Sequence, residues 1–87
     1  MELTTMDSPI DIKLAATGEP ARISFEPGGT AFEVDVDDFI SLRLDSGSVS
    51  SIEIYHWPNG ISVWLPYPGE SDFIVLDSSG EEMARLW

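Results

Sequence analysis

The chain has no cysteine and a single histidine. Without thiols there is no disulfide framework, no thiolate nucleophile and no Cys-based metal site. His56 is the one imidazole a Ser-His-Asp relay could use. It falls in the middle of an alternating segment, where a histidine packs or hydrogen-bonds rather than reacts. The nearest approach to a Gly-x-Ser-x-Gly elbow, Gly47-Ser48-Val49-Ser50-Ser51, lacks its last glycine. There is no dinucleotide fingerprint and no phosphate loop; Gly28-Gly29 follows Pro27 and belongs to a turn. Neither a catalytic residue nor a cofactor is therefore expected.

Basic residues are also scarce. Lys13, Arg22, Arg43 and Arg85 stand against 16 acids, for a net charge of −12. So few cations cannot hold a phosphate backbone, which excludes direct nucleic-acid binding, and they disfavour an anionic membrane surface. The same imbalance suits a basic protein partner, or a salt-adapted host in which acidity serves only solubility. No apolar run approaches the roughly 20 residues of a membrane helix. The start, Met1 to Asp7, is acidic and poor in apolar residues, unlike a signal peptide, so a cytoplasmic location is expected.

What remains is sufficient for one small domain. The 87 residues are 43% hydrophobic and include four Phe, three Trp and two Tyr. A chain of this length buries roughly 60–65% of the surface its unfolded form exposes, so the core is thin. Residues 1–8 are expected to fray and residues 9–87 to form a single β domain.

The apolar pattern has period two almost throughout. Ile10, Ile12, Leu14 and Ala16 share one face, as do Ile23 and Phe25, then Phe32, Val34 and Val36, then Ile40, Leu42 and Leu44. Thr17-Gly18-Glu19-Pro20, Pro27-Gly28-Gly29 and Asp45-Ser46-Gly47-Ser48 separate these runs. Residues 51–57 and 61–67 read as a hairpin around Trp57-Pro58-Asn59-Gly60. Residues 73–77 and 83–87 read as another around Ser78-Ser79-Gly80-Glu81, with Pro68 and Gly69 in a loop at 68–72 and the terminal Trp87 docked. One short helical turn has room at Asp37–Ile40. The fold class is all-β: a small antiparallel sandwich or partly open barrel of seven to eight short strands.

The register of the first hairpin decides the fate of its aromatics. A three-residue Pro58-Asn59-Gly60 loop puts Tyr55 and Trp57 on one face with Ile61, Val63 and Leu65. A two-residue Asn59-Gly60 loop instead leaves Tyr55, Trp57 and Trp64 together, opposite Ile52, Ile54, Ile61, Val63 and Leu65. Either way the hairpin carries more apolar surface than one sheet face needs.

Two groups are candidate sites. Glu33, Asp35 and Asp37, continued by Asp38, would stand about 6.7 Å apart along one strand face, a regular line of charge able to oppose the Lys/Arg clusters that hold phosphates. The plainer reading is a solvated face that blunts edge-to-edge aggregation. Asp35-Val36-Asp37-Asp38 offers hard oxygens, but it departs from the calcium loop, and no metal is expected. Tyr55, Trp57 and Trp64, with Tyr67, form the second group. These residue types anchor interfaces, although in so small a domain they also serve as core.

The expectation is a non-enzymatic acidic inhibitor. It would occlude a basic, nucleic-acid-binding surface of a partner protein, as nucleic-acid mimics do in phage anti-defence or toxin neutralisation. The four acids would steer the encounter and Tyr55, Trp57 and Trp64 would anchor it. The alternatives are a structural module that packs on a larger assembly or forms a homodimer, and a barrel that binds a small ligand or sugar.

Overall fold

A computed structural model describes residues 8–66 and 73–86 of the chain. The expected loop at 68–72, the docking of Trp87 and the place of Tyr67 lie outside the described residues. Eight strands follow in order: β1 (Pro9–Ala15), β2 (Ala21–Glu26), β3 (Thr30–Val34), β4 (Phe39–Asp45), β5 (Glu53–Trp57), β6 (Gly60–Trp64), β7 (Phe73–Leu76) and β8 (Glu82–Leu86). They form two four-stranded sheets, β1-β4-β7-β8 and β3-β2-β6-β5, which do not close into a barrel. This is the expected small sandwich.

Period-two alternation explains the core. Leu14, Ile23, Phe25, Val34, Ile40, Leu42 and Leu44 are buried from the first four strands, and Val63, Phe73, Val75 and Leu86 from the later ones. Phe25 and Phe73 are completely enclosed, and no polar side chain is buried among the described residues. Phe25 meets Phe32 edge-on with ring centroids 6.2 Å apart, a favoured aromatic geometry.

The first sheet is antiparallel throughout. In the second, β2 and β6 run parallel. Parallel neighbours need a crossover rather than a hairpin. Here the chain leaves β2 through β3, crosses to β4 in the other sheet, and returns through β5 to β6. Local periodicity carries no information about that return.

Three local expectations change. The segment expected as a strand over 30–36 stops at Val34. Asp38 N–H donates to the Asp35 carbonyl (3.0 Å), and Asp37 sits at φ 64°. Aspartate tolerates that left-handed conformation better than most residues. Asp37 N–H donates to the Ala16 carbonyl (2.8 Å) and Ala16 N–H to that of Asp38 (3.1 Å), so the reversal is tied to the end of β1. Val36, expected inward, is consequently 44% exposed. The chain changes sheets here, and a tight reversal replaces the last two residues of the strand.

Secondly, the segment after β4 that reads as a loop at Asp45–Ser48 forms a 3-10 turn at Ser46–Ser51, while Asp37–Ile40, where a helical turn had room, leads into β4. Asp45 caps it, accepting from Gly47 N–H through Oδ2 (2.8 Å) and from Ser8 N–H through Oδ1 (3.2 Å). Thirdly, β5 and β6 are joined by a two-residue loop made of Pro58 and Asn59, with Trp57 paired to Gly60. This differs from both loops considered from sequence, but it shares its face assignment with the two-residue alternative.

Candidate functional site

The register across the second sheet determines which side chains share its outer face. Arg22, Ser24 and Glu26 on β2 lie beside Gly60, Ser62 and Trp64 on β6. Trp57, Tyr55 and Glu53 on β5 pair with those same three β6 residues. On the other side, Arg22 and Ser24 pair with Glu33 and Ala31 of β3. The outer face therefore holds three aromatics and three carboxylates (Glu26, Glu33 and Glu53) with Arg22 as its cation.

Tyr55, Trp57 and Trp64 are thus brought together, as the two-residue reading implied, and they are surface rather than core. Tyr55 is 46% exposed, Trp57 51% and Trp64 43%. Every residue of β5 is exposed, Ile54 and His56 on its other face included. The reason is position: β5 is the edge strand of its sheet, and its inward side chains are left uncovered too. The excess apolar surface of the hairpin is left bare.

Two of the three aromatics, Tyr55 and Trp57, are held by hydrogen bonds. Gly60 has no side chain, and Trp57 stands opposite it. The Trp57 indole reaches across so that Nε1 donates to Ser62 Oγ (2.9 Å), which in turn lies 3.2 Å from Ser24 Oγ. The Tyr55 hydroxyl donates to Glu53 Oε1 (2.8 Å). That bond and the nearby charge push the Tyr55 pKa above its ordinary value, because ionisation would place two anions together. Glu53, Tyr55, Trp57 and Trp64 line an open concavity of about 420 Å³. A smaller one of about 190 Å³, bordered by Arg22, Ser24, Trp57 and Ser62, adjoins it.

The acidic line is not assembled as expected. Glu33 is on the outer face, but at the far edge, three strand spacings or about 14 Å from β5. Its approach to Arg22 is long, 3.9 Å, and both side chains are well exposed. Asp35, Asp37 and Asp38 belong to the reversal between sheets, so no regular row continues from Glu33. Asp38 is partly committed locally, accepting from Phe39 N–H through Oδ1 (2.8 Å). What sequence reasoning missed is the pairing of carboxylate with aromatic. Glu53 and Glu26 face the same side as the tryptophans: alternation along β5 alone places Glu53 with Tyr55 and Trp57, whereas Trp64 joins them through the hairpin register and Glu26 through the parallel β2–β6 pair.

The remaining cations are occupied on the other sheet. Arg43 makes a two-pronged bond to Asp11 (2.8 and 3.0 Å), which lowers the Asp11 pKa, and Arg85 bonds Glu82 (3.0 Å). Lys13 Nζ lies 4.4 Å from the centre of the Phe39 ring. His56 borders a shallow groove of about 260 Å³ with Thr17, Glu19 and Asn59. Among the described residues no cluster of three or more His, Cys, Asp or Glu could hold a metal ion.

No protein-family model, curated protein or solved structure matches this chain.

Proposed function

We propose that this protein is a non-enzymatic binding module whose outer β3-β2-β6-β5 face docks on a basic surface of a partner protein and occludes it. The supporting observation is the exposure of Tyr55, Trp57 and Trp64 together on one hydrogen-bonded face. Large apolar side chains grouped at the surface mark interaction sites far more often than singly scattered ones. Tyrosine and tryptophan lose little conformational entropy on binding, and Tyr55 and Trp57 are already held by Glu53 and Ser62.

Charge supplies the partner class. A net charge of −12 accelerates encounter with a positive surface, and Glu26 and Glu53 flank the aromatics on the docking face, with Glu33 at its far edge. Surfaces that bind nucleic acid are basic by necessity, so the favoured target is such a surface, blocked by competition. Asp35, Asp37 and Asp38 add to the long-range field from the sheet-crossing turn and are not contact residues.

The test compares two variant sets against a captured partner. Trp57→Ala with Trp64→Ala is expected to raise the dissociation rate with little change in association. Lys substitutions at Glu33, Asp35, Asp37 and Asp38 are expected to slow association at low salt. Unchanged kinetics in both sets would remove the assignment.

A further inference from the structure

We infer that the concavity lined by Glu53, Tyr55, Trp57 and Trp64 is a subsite for a cationic side chain, specifically an arginine presented by the partner. This deepens the docking reading above and rests on it. The Trp57 indole N–H is spent on Ser62 Oγ and the Tyr55 hydroxyl on Glu53 Oε1. Those two walls therefore offer a visitor ring faces, and Glu53 offers carboxylate lone pairs. Ring faces and carboxylate oxygens both attract positive charge.

Geometry and field agree with that chemistry. Tyr55 and Trp57 are alternate residues of one strand, about 6.7 Å apart, and Trp64 lies directly across from Glu53. The open volume of about 420 Å³ leaves room for a guanidinium to lie against an indole while its edge faces the carboxylate. Arg22, the cation on this face, is paired with Gly60 and borders the adjoining hollow, not this one. The fold already uses the same pairing once on its other sheet, where Lys13 sits over Phe39. Arginine fits better than lysine because its plane stacks on an aromatic face and its fork matches a carboxylate.

The experiment is a titration of the full chain with three hexapeptides of alternating glycine and, respectively, arginine, lysine or the neutral isostere citrulline, and with cellohexaose. The tryptophan indole N–H resonances are followed by NMR at low salt. The arginine peptide is expected to shift Trp57 and Trp64 saturably and to bind at least tenfold more tightly than the citrulline peptide, with lysine between them. Glu53→Gln should weaken arginine binding about three- to tenfold, and Trp57→Ala should abolish the shift at Trp64. Glu33→Gln removes the same charge from the far edge and should change affinity less than twofold. Equal binding of citrulline or lysine, equal effects of Glu53→Gln and Glu33→Gln, a response to cellohexaose alone, or no response at all would each overturn the subsite. Docking of a basic partner on the wider face is read separately, from partner kinetics, and survives any of those failures.

Discussion

Replacing Gly60 by alanine sets two physical arguments against each other. Gly60 opens β6 and does not need a positive φ. At an ordinary strand position alanine gains roughly 0.5–1 kcal/mol over glycine by limiting the unfolded chain. Packing says the opposite. A Cβ at this position would meet the Arg22 carbonyl oxygen and lie 2.8 Å from the Arg22 carbonyl carbon and 2.9 Å from its nitrogen. All three are backbone atoms, so no rotamer change relieves the clash. Relief requires β2 and β6 to part where their parallel pairing begins and where Arg22 N–H donates to the Asn59 carbonyl (3.0 Å). Overpacking and a weakened hydrogen bond together cost roughly 2–4 kcal/mol. For a domain of this size that is a fall in Tm of roughly 10–20 °C. Thermal and urea unfolding followed by tryptophan fluorescence and circular dichroism would measure it. Gly80→Ala is the control: Gly80 has φ 92° with nothing within 4 Å of an added methyl, so it carries backbone strain alone, roughly 1 kcal/mol. Gly60→Ala as stable as the parent, or less damaging than Gly80→Ala, would refute the close approach of β2 and β6.

Other perturbations follow from the same contacts. Phe25→Ala, at the centre of the sandwich, should cost about 3–5 kcal/mol in denaturant unfolding, a large part of the stability of so small a domain. Trp57→Ala should cost far less, since half of the side chain is exposed; a loss equal to that of Phe25→Ala would mean the indole is core. Acid should also destabilise the fold through two aspartates. Asp11 is held below the ordinary 3.8 by its bond to Arg43, and Asp77 by the Ser79 hydroxyl and the backbone N–H groups of Glu81, Ser79 and Gly80. A lowered folded pKa gives stability that is present above 3.8 and lost as pH falls through the folded value. Asp11→Asn and Asp77→Asn should each flatten the acid side of the stability–pH curve, and an unaltered curve in both would contradict these assignments.

The sandwich was legible because alternation is a local signal. Ile40, Leu42 and Leu44, or Ile23 and Phe25, declare a buried face without reference to the rest of the chain, and all five are buried. The limits of that signal are equally physical. Val36 continues the alternation of Phe32 and Val34, yet the strand ends before it, because the exit to the other sheet depends on where β4 lies. The parallel pairing of β2 with β6 depends on a return through both sheets. That pairing and the hairpin register decide that Glu26 and Trp64 join the face on which alternation along β5 already sets Glu53 with Tyr55 and Trp57. The choice of Tyr55, Trp57 and Trp64 as a group was legible from residue type, whereas their exposure follows from their place on the outer face of the second sheet, and that of Ile54 and His56 from the edge position of β5. Glu33, Asp35 and Asp37 formed a line only on the premise of an uninterrupted strand.

The docking face is tested most directly by parallel capture from nuclease-treated host lysate. The baits are the tagged chain and its Tyr55→Ala, Trp57→Ala, Trp64→Ala triple variant, at low and at high salt, with the variant first shown to retain its circular dichroism spectrum and cooperative melt. The predicted result is one dominant basic protein held by the parent chain, diminished as salt rises, and absent from the variant at both salts. The same dominant protein on both baits, or only further copies of the chain itself, would contradict the assignment of this face to a basic partner.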